Sequence, residues 1–200
     1  TTMQSFQRIC VATKHRLARF SSVSQPGMSK YPTMLSSLEL KSGHVLRNRV
    51  IMGSMHTGLE EGGFFNHSLD AYAEYFRERA AGQAGLIVTG GISPNDAGRT
   101  LVMAACMRNE NDAKNHKVIT DAVHSEGGLI AMQILHSGRY GYHFNTVSAS
   151  STKAPIAPFK AKELSSKDVL NTIDDFVKCA EMAKLAGYDG VEVMGSEGYL

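Results

Sequence analysis

The sequence predicts an α/β fold, specifically the first four βα units of a (β/α)8 TIM barrel, on three observations. Four nearly continuous apolar runs, VIMGSM (50–55), GLIVTGG (85–91), LIAMQILH (129–136) and GVEVMG (190–195), have the composition of parallel strands buried on both faces. Amphipathic helical patterns separate them, as right-handed strand–helix–strand crossovers require. Neither G-x-G-x-x-G nor GxxxxGK followed by Ser or Thr occurs, which removes the usual signatures of a doubly wound nucleotide-binding sheet. A whole barrel takes roughly 250 residues, so four units in about 160 residues amount to half of one.

Each element has a local cause. Leu38 to Val45 reads as a short extended lead-in to the first strand. Ser68 is the expected N-cap of a helix running to about Ala81, with Leu69, Tyr72, Tyr75 and Phe76 facing inward. Asp112 is the expected cap of a second helix to Glu126, whose apolar stripe is Val118, Ile119, Ala122 and Val123. The third helix has the clearest signals: Ser165 as N-cap, Leu164 and Val169 as a hydrophobic staple, then Ile173, Phe176, Val177, Ala180 and Ala183, with closure at Gly187.

Charge divides the chain. The 200 residues carry 21 Lys and Arg against 19 Asp and Glu, a formal charge of +2 that is too small to suggest a nucleic-acid partner. Residues 1–38 hold Arg8, Lys14, Arg16, Arg19 and Lys30 and no acid, so the rest of the chain is mildly acidic. The basic, Ser-rich stretch 1–30 reads as a disordered targeting leader for the mitochondrial matrix, the other reading being a plain basic tail. No uncharged apolar run of eighteen residues exists, so no membrane span is expected. Cys10, Cys106 and Cys179 lack cluster spacing and read as free thiols, and His136 and His143 have no partner completing a metal set. No metal site is expected.

In a barrel the site forms at the C-terminal ends of the strands. The first strand delivers Ser54, Met55 and His56, the second Thr89-Gly90-Gly91, the third Gln133 and then His136 and Arg139, and the fourth Glu197 and Tyr199. Glycines at strand ends let a flat ligand approach the backbone, and Gln133 offers both a donor and an acceptor to an amide-bearing heterocycle such as an isoalloxazine. Each residue also has a plain structural alternative. Tyr199 and Gln133 could be buried polar groups satisfied within the protein, His56 could cap a strand, and Arg139 could pair with a carboxylate and hold its loop.

The segments LRNRVIMGSMHTGLEE (46–61), LIVTGGI (86–92), QILHSGRYGY (133–142) and AGYDGVEVMGSEGYL (186–200) occur in family order, and from about Tyr31 to Leu200 the chain resembles the flavin-dependent Old Yellow Enzyme family. Within it, MGSMHTGLE and VEVMGSEGYL resemble the NADPH-dependent 2,4-dienoyl-CoA reductases. The resemblance implies that residues 31–200 are the N-terminal half of an FMN-binding barrel. Ser54, Met55 and His56 would lie beside the flavin, Gly90 and Gly91 against its ring, and Gln133 on its pyrimidine edge. Tyr199 would donate a proton to an acyl-CoA substrate, with His136, Arg139 and Glu197 as substrate-side residues. Ordinary ene-reductases of the family carry His-x-x-His or His-x-x-Asn where this chain has Met194 and Glu197, a departure that favours the acyl-CoA branch. The resemblance also implies a longer parent chain with FAD, an iron–sulfur cluster and NADPH. Its alternatives are another ene-reductase or amine dehydrogenase of the family, or an inactive truncated barrel.

Overall fold

The computed structural model describes residues 27, 29–61 and 68–200, and the basic leader 1–30 lies almost wholly outside them. The chain divides into two compact units, Thr1–Val50 and Ile51–Leu200. The boundary between the two units falls at Val50. In the first unit, helix α1 (Pro32–Leu35) precedes strand β1 (Leu38–Glu39), which pairs antiparallel with β2 (Val45–Leu46). The expected extended lead-in is therefore folded back on itself, closed by Gly43 N–H on Leu40 O at 2.9 Å.

The second unit runs β3 (Ile51–Met52), α2 (Asp70–Ala81), β4 (Leu86–Ile92), α3 (Glu110–Ser125), β5 (Ile130–Ile134), β6 (Val147–Ser148), β7 (Lys162–Glu163), α4 (Ser166–Leu185) and β8 (Gly190–Val193). β3, β4, β5 and β8 form one parallel sheet in chain order. Short β6 and β7 pair with each other inside the β5–α4 connection. Among the described residues, no helix is long and apolar enough to cross a membrane.

Helix starts follow side-chain hydrogen bonding. Ser165 caps α4 as expected and completes a capping box, its Oγ accepting from Asp168 N at 3.2 Å while the Asp168 carboxylate accepts from Ser165 N. The other two caps differ from expectation. Asn109, not Asp112, caps α3, accepting from the N–H groups of Asn111 and Asp112. Asp112 sits in the first turn and accepts from Arg108 N instead. Leu69 occupies the N-cap position of α2 without a side-chain bond, and Ser68 accepts from Asp70 N just outside it. Gly187 ends α4 with φ +95°, a left-handed conformation that costs glycine least.

The core lies between sheet and helices. Ile87, Ile130, Met132 and Ile134 from the strands meet Tyr72 and Phe76 of α2, Ile119 and Val123 of α3, and Cys179 and Ala183 of α4. The expected stripes hold at these positions, but Val118 and Ile173 are exposed. The strands also differ from one another. β5 is buried at every position, because it has a neighbour on each side and helices beneath it. β8 is exposed at every position and Ile51 of β3 is 55% exposed, because each of these strands has a single neighbour. Continuous burial thus belongs to β5, with β4 buried at five of its seven positions.

Two polar networks fix the layers. Asp189, at the start of β8, accepts from Ile130 N at 2.8 Å and from His124 at 2.9 Å, joining β5, β8 and α3. His116 Nδ1 meets the Tyr188 hydroxyl at 3.0 Å inside the core. Burial pushes the His116 imidazole down from 6.5 to about 4, whereas the Asp189 hydrogen bond raises His124. A histidine kept neutral in the folded state contributes stability above its unfolded value and loses it as pH falls from 6.5 towards 4. His124 has the opposite sign: its contribution is complete below 6.5 and fades as pH rises through its raised value. Melting temperature should accordingly fall on acidification across that window. His116→Gln keeps an amide for Tyr188 and cannot be protonated there, so its decline should be shallower. An identical slope in the variant would contradict the assignment.

Candidate active site

The C-terminal end of the sheet is organised by an irregularity in β4. Val88 pairs with Ala131 and Gly91 with Gln133, so β4 spends one more residue than β5 across the same step. This bulge at Thr89-Gly90 takes a ladder partner from Gln133, and the Thr89 hydroxyl accepts the Gln133 N–H at 3.1 Å instead. Gly90 N donates to the Tyr72 hydroxyl at 3.1 Å, and that hydroxyl donates to Glu60 Oε1 at 3.4 Å. Glu60, 3% exposed, also accepts from Thr57 N and Thr57 Oγ1. Burial first, and the Glu60 charge second, hold the Tyr72 phenol protonated far above its ordinary range. Gly90 has a specific reason to be glycine: a Cβ there would stand 2.3 Å from Glu60 Oε1 and 2.8 Å from Met55 O. A Cβ on Gly91 would meet Leu135 at 2.7 Å. The space beside both glycines is filled by the protein itself, a requirement independent of any ligand.

Gln133, the penultimate residue of β5, is 4% exposed. Its amide nitrogen donates to Ser54 Oγ at 2.7 Å and to Glu192 Oε2 at 3.2 Å, so it links the ends of β3, β5 and β8 on one face of the sheet. Among the described residues its carbonyl oxygen accepts no hydrogen bond, which leaves an acceptor for a ligand N–H. Met55 and His56 stand exposed on the loop after β3. The His56 ring nitrogens lie 3.8 Å from Glu60 and 3.6 Å from Glu61, a grouping with metal-ligand spacing that no motif announces. Both Glu60 oxygens already accept protein N–H or O–H groups.

A second cluster forms where the loop after β8 meets the loop after β5. Tyr199 packs edge-on to Tyr140, ring centroids 5.5 Å apart, and the Arg139 guanidinium lies 5.2 Å from the Tyr140 centroid. Leu200 N reaches His136 O at 3.4 Å. Arg139 therefore contacts an aromatic ring and, in this cluster, no carboxylate. Glu197 and Gly198 both take left-handed φ, +55° and +76°, which turns the chain sharply so that Tyr199 points back to Tyr140. The Glu197 carboxylate accepts from Ser196 Oγ and is exposed.

His136 is set apart from these groups. It is 2% exposed, stacks on Phe176 of α4 at 6.4 Å, and accepts from Gly138 N through Nδ1. Burial lowers its pKa to about 4, so it is neutral. Gln133 in β5 faces Ser54 and Glu192, whereas His136, two residues past the end of that strand, faces Phe176 of α4. His136 is therefore not brought together with Gln133, Ser54 and Glu192. Burial likewise pushes the Cys179 thiol up to about 12 and raises Cys106, as suits unreactive free thiols.

Sequence reasoning missed Glu192, Glu60 and Tyr72 as members of the site. Glu192 had a signal, a carboxylate inside the apolar run GVEVMG on the same alternation as Gln133. Tyr72 was legible as buried, and its hydroxyl needed a partner. Nothing local pairs it with Glu60, twelve residues away.

Residues 34–200 match the NADH:flavin oxidoreductase / NADH oxidase family. The chain belongs to that family. It is 36% identical over 160 residues to the metal reductase of Desulforamulus reducens, covering 78% of this chain and 23% of that protein. It is 30% identical over 186 residues to the NADH oxidase of Thermoanaerobacter brockii, covering 86% and 27%. The solved structure of morphinone reductase in complex with tetrahydroNAD superposes with a TM-score of 0.74 at 26% identity, covering 84% of this chain and 51% of that one. The chain thus spans about a quarter of those two curated relatives and half of the structural one. Its parallel sheet and helices cover part of the (β/α)8 barrel of these flavin enzymes.

The tight approach at Gly90 makes this family chain sensitive at a position without a side chain. Gly90→Ala should cost about 1–3 kcal/mol, because neither the Met55 backbone nor the hydrogen-bonded Glu60 can withdraw freely. A urea midpoint equal to that of the parent chain would refute the packing argument.

Proposed function

We propose that this chain carries the FMN-binding portion of an oxidoreductase that reduces conjugated C=C bonds, with a 2,4-dienoyl-CoA thioester as substrate. The observation that carries the reading is the Gln133 bridge: a buried amide spans three strand ends at the C-terminal face of the sheet and leaves its carbonyl oxygen as acceptor. That donor–acceptor set fits the N–H and carbonyl edge of a flavin pyrimidine. Ser54 would share this contact, and Met55 and His56 on the exposed β3 loop would flank the ring. Gly90 and Gly91 would serve indirectly, by keeping that loop tight against β4.

Bound FMN, once reduced, supplies a hydride to one carbon of the conjugated system. The chain's own contribution is the proton for the other end, held on the Tyr199 hydroxyl. Tyr140 packs edge-on against that phenol, and the Arg139 guanidinium lies over the Tyr140 ring. Glu197 acts on the substrate side through the turn it forms. His136 supports the loop from beneath. Met194 and Glu197, in place of the paired polar residues of ordinary ene-reductases, support a thioester over a simple enone.

The same reading includes a longer parent that also uses FAD, an iron–sulfur cluster and NADPH, in keeping with the chain spanning only about a quarter of the metal reductase and the NADH oxidase. A mitochondrial matrix location rests on the acid-free charge of residues 1–38.

Reconstituted with FMN, reduced and mixed anaerobically with substrate, the protein should be reoxidised by 2,4-hexadienoyl-CoA. Tyr199→Phe should slow that step by about 10²–10⁴-fold while FMN absorbance and affinity stay as in the parent chain. Gln133→Leu should weaken FMN binding itself. Reoxidation by 2-cyclohexenone but not by the dienoyl thioester would sink the substrate assignment.

A further inference from the structure

We propose that the connection between β5 and α4 holds the 3′-phosphorylated ADP end of coenzyme A. The inference rests on the dienoyl-CoA reading above and extends it to this chain's own residues. From Gly127 to Lys162 the sequence contains no acid and four cations, Arg139, Lys153, Lys160 and Lys162. Within that stretch Ala161 N donates to Thr152 O at 2.8 Å and Ser151 Oγ to Ala161 O at 3.1 Å, closing a loop whose next residues inward are Lys153 and Lys160. The two lysines therefore leave adjacent points of one loop neck. Both are exposed, and among the described residues neither has a carboxylate partner. Lys162 differs in lying within the field of Asp168. An uncompensated pair of ammonium groups at the mouth of a loop is a counter-charge for phosphates.

Beside the lysines stand apolar groups with no covering. Phe144 is 85% exposed and packs on Phe159 at 4.4 Å, which holds its ring in place with a free face. Ile156, 66% exposed at the loop tip, has its carbonyl tied to the Tyr142 hydroxyl. A flat purine suits that face, since base–aromatic stacking needs no particular hydrogen-bond pattern. The same connection begins at Arg139, whose guanidinium lies over the Tyr140 ring, and at Tyr140, which packs on Tyr199. One continuous segment thus runs from the proposed proton donor to the two lysines. A matching ligand has an uncharged reactive end, a long arm, and a distant aromatic group carrying several phosphates. A coenzyme A thioester has that shape; nucleic acid does not, because two lysines on a chain of formal charge +2 offer no extended cationic track.

The test is calorimetric titration of the full chain with coenzyme A, 3′-dephospho-coenzyme A and NADPH, in the parent and in Lys153→Glu/Lys160→Glu. Coenzyme A should bind the double variant about tenfold or more weakly, and the parent should prefer it to the dephospho form, with affinity falling as salt rises. Phe144→Ala should weaken binding without altering the salt dependence. In turnover, the ratio of KM for 2,4-hexadienoyl-CoA to KM for its N-acetylcysteamine thioester, which has the same acyl group and no nucleotide, should rise about tenfold in the lysine variant. Equal coenzyme A affinities in parent and variant, with the N-acetylcysteamine thioester still reduced, would overturn the inference and leave the proposed function standing. A charge-dependent loss for NADPH but not coenzyme A would also overturn it. Reduction of neither thioester would instead defeat the proposed function, while lysine-dependent coenzyme A binding would still support this assignment.

Discussion

The buried Glu60 carboxylate is the tie on which the site end of the sheet depends. It accepts from Thr57 of its own loop and, through the Tyr72 hydroxyl, is linked to Gly90 N in the β4 bulge. One acidic side chain thereby joins the loop after β3, helix α2 and strand β4. A carboxylate this deep is tolerated only because O–H and N–H donors surround it. The glycine at position 90 and the tyrosine at 72 follow from it: one leaves room for the carboxylate, and the other completes its hydrogen bonding. The loop carrying Ser54, Met55 and His56 takes its course from the same tie.

From that anchor the two faces of the sheet diverge. On the helix side, Ile87, Met132 and Ile134 pack against α2, α3 and α4, and the buried histidines 116 and 136 are neutral because burial disfavours their charge. On the other face, Gln133, Ser54 and Glu192 form a polar bridge. Period-two alternation along β5 sends Met132 and Gln133 to opposite environments one residue apart. The bulge is compatible with this because the Thr89 hydroxyl stands in for the missing ladder partner of Gln133.

Much of the fold was legible locally. Apolar runs located β3, β4, β5 and β8 to within a few residues, and Ser165 with Asp168 marked the start of α4, because capping is decided within one turn of helix. The caps of α2 and α3 were misplaced by one and three residues, since Ser, Asn and Asp compete for the same donors and sequence does not rank them. In the candidate site, Gln133 with Ser54, and Arg139 with Tyr199 through Tyr140, come together, while His136 turns to the helices. Strand ends name which residues arrive at the face. Bulges and turns, such as those at Gly90 and Glu197, decide where each one points.

What the sequence alone determined was the order of strands and helices, the parallel sheet and the family, because hydrophobic period and short motifs act over a few residues. What only the tertiary structure decided was partnership: Glu60 with Tyr72, Gln133 with Glu192, His116 with Tyr188. Those pairs lie up to 72 residues apart in the chain. They exist because a buried polar group must find its partner wherever packing brings one, and sequence distance carries no information about that. The same reason makes β5 buried throughout and β8 exposed throughout, although their residues read alike: burial depends on having neighbours on both sides, which no local pattern encodes.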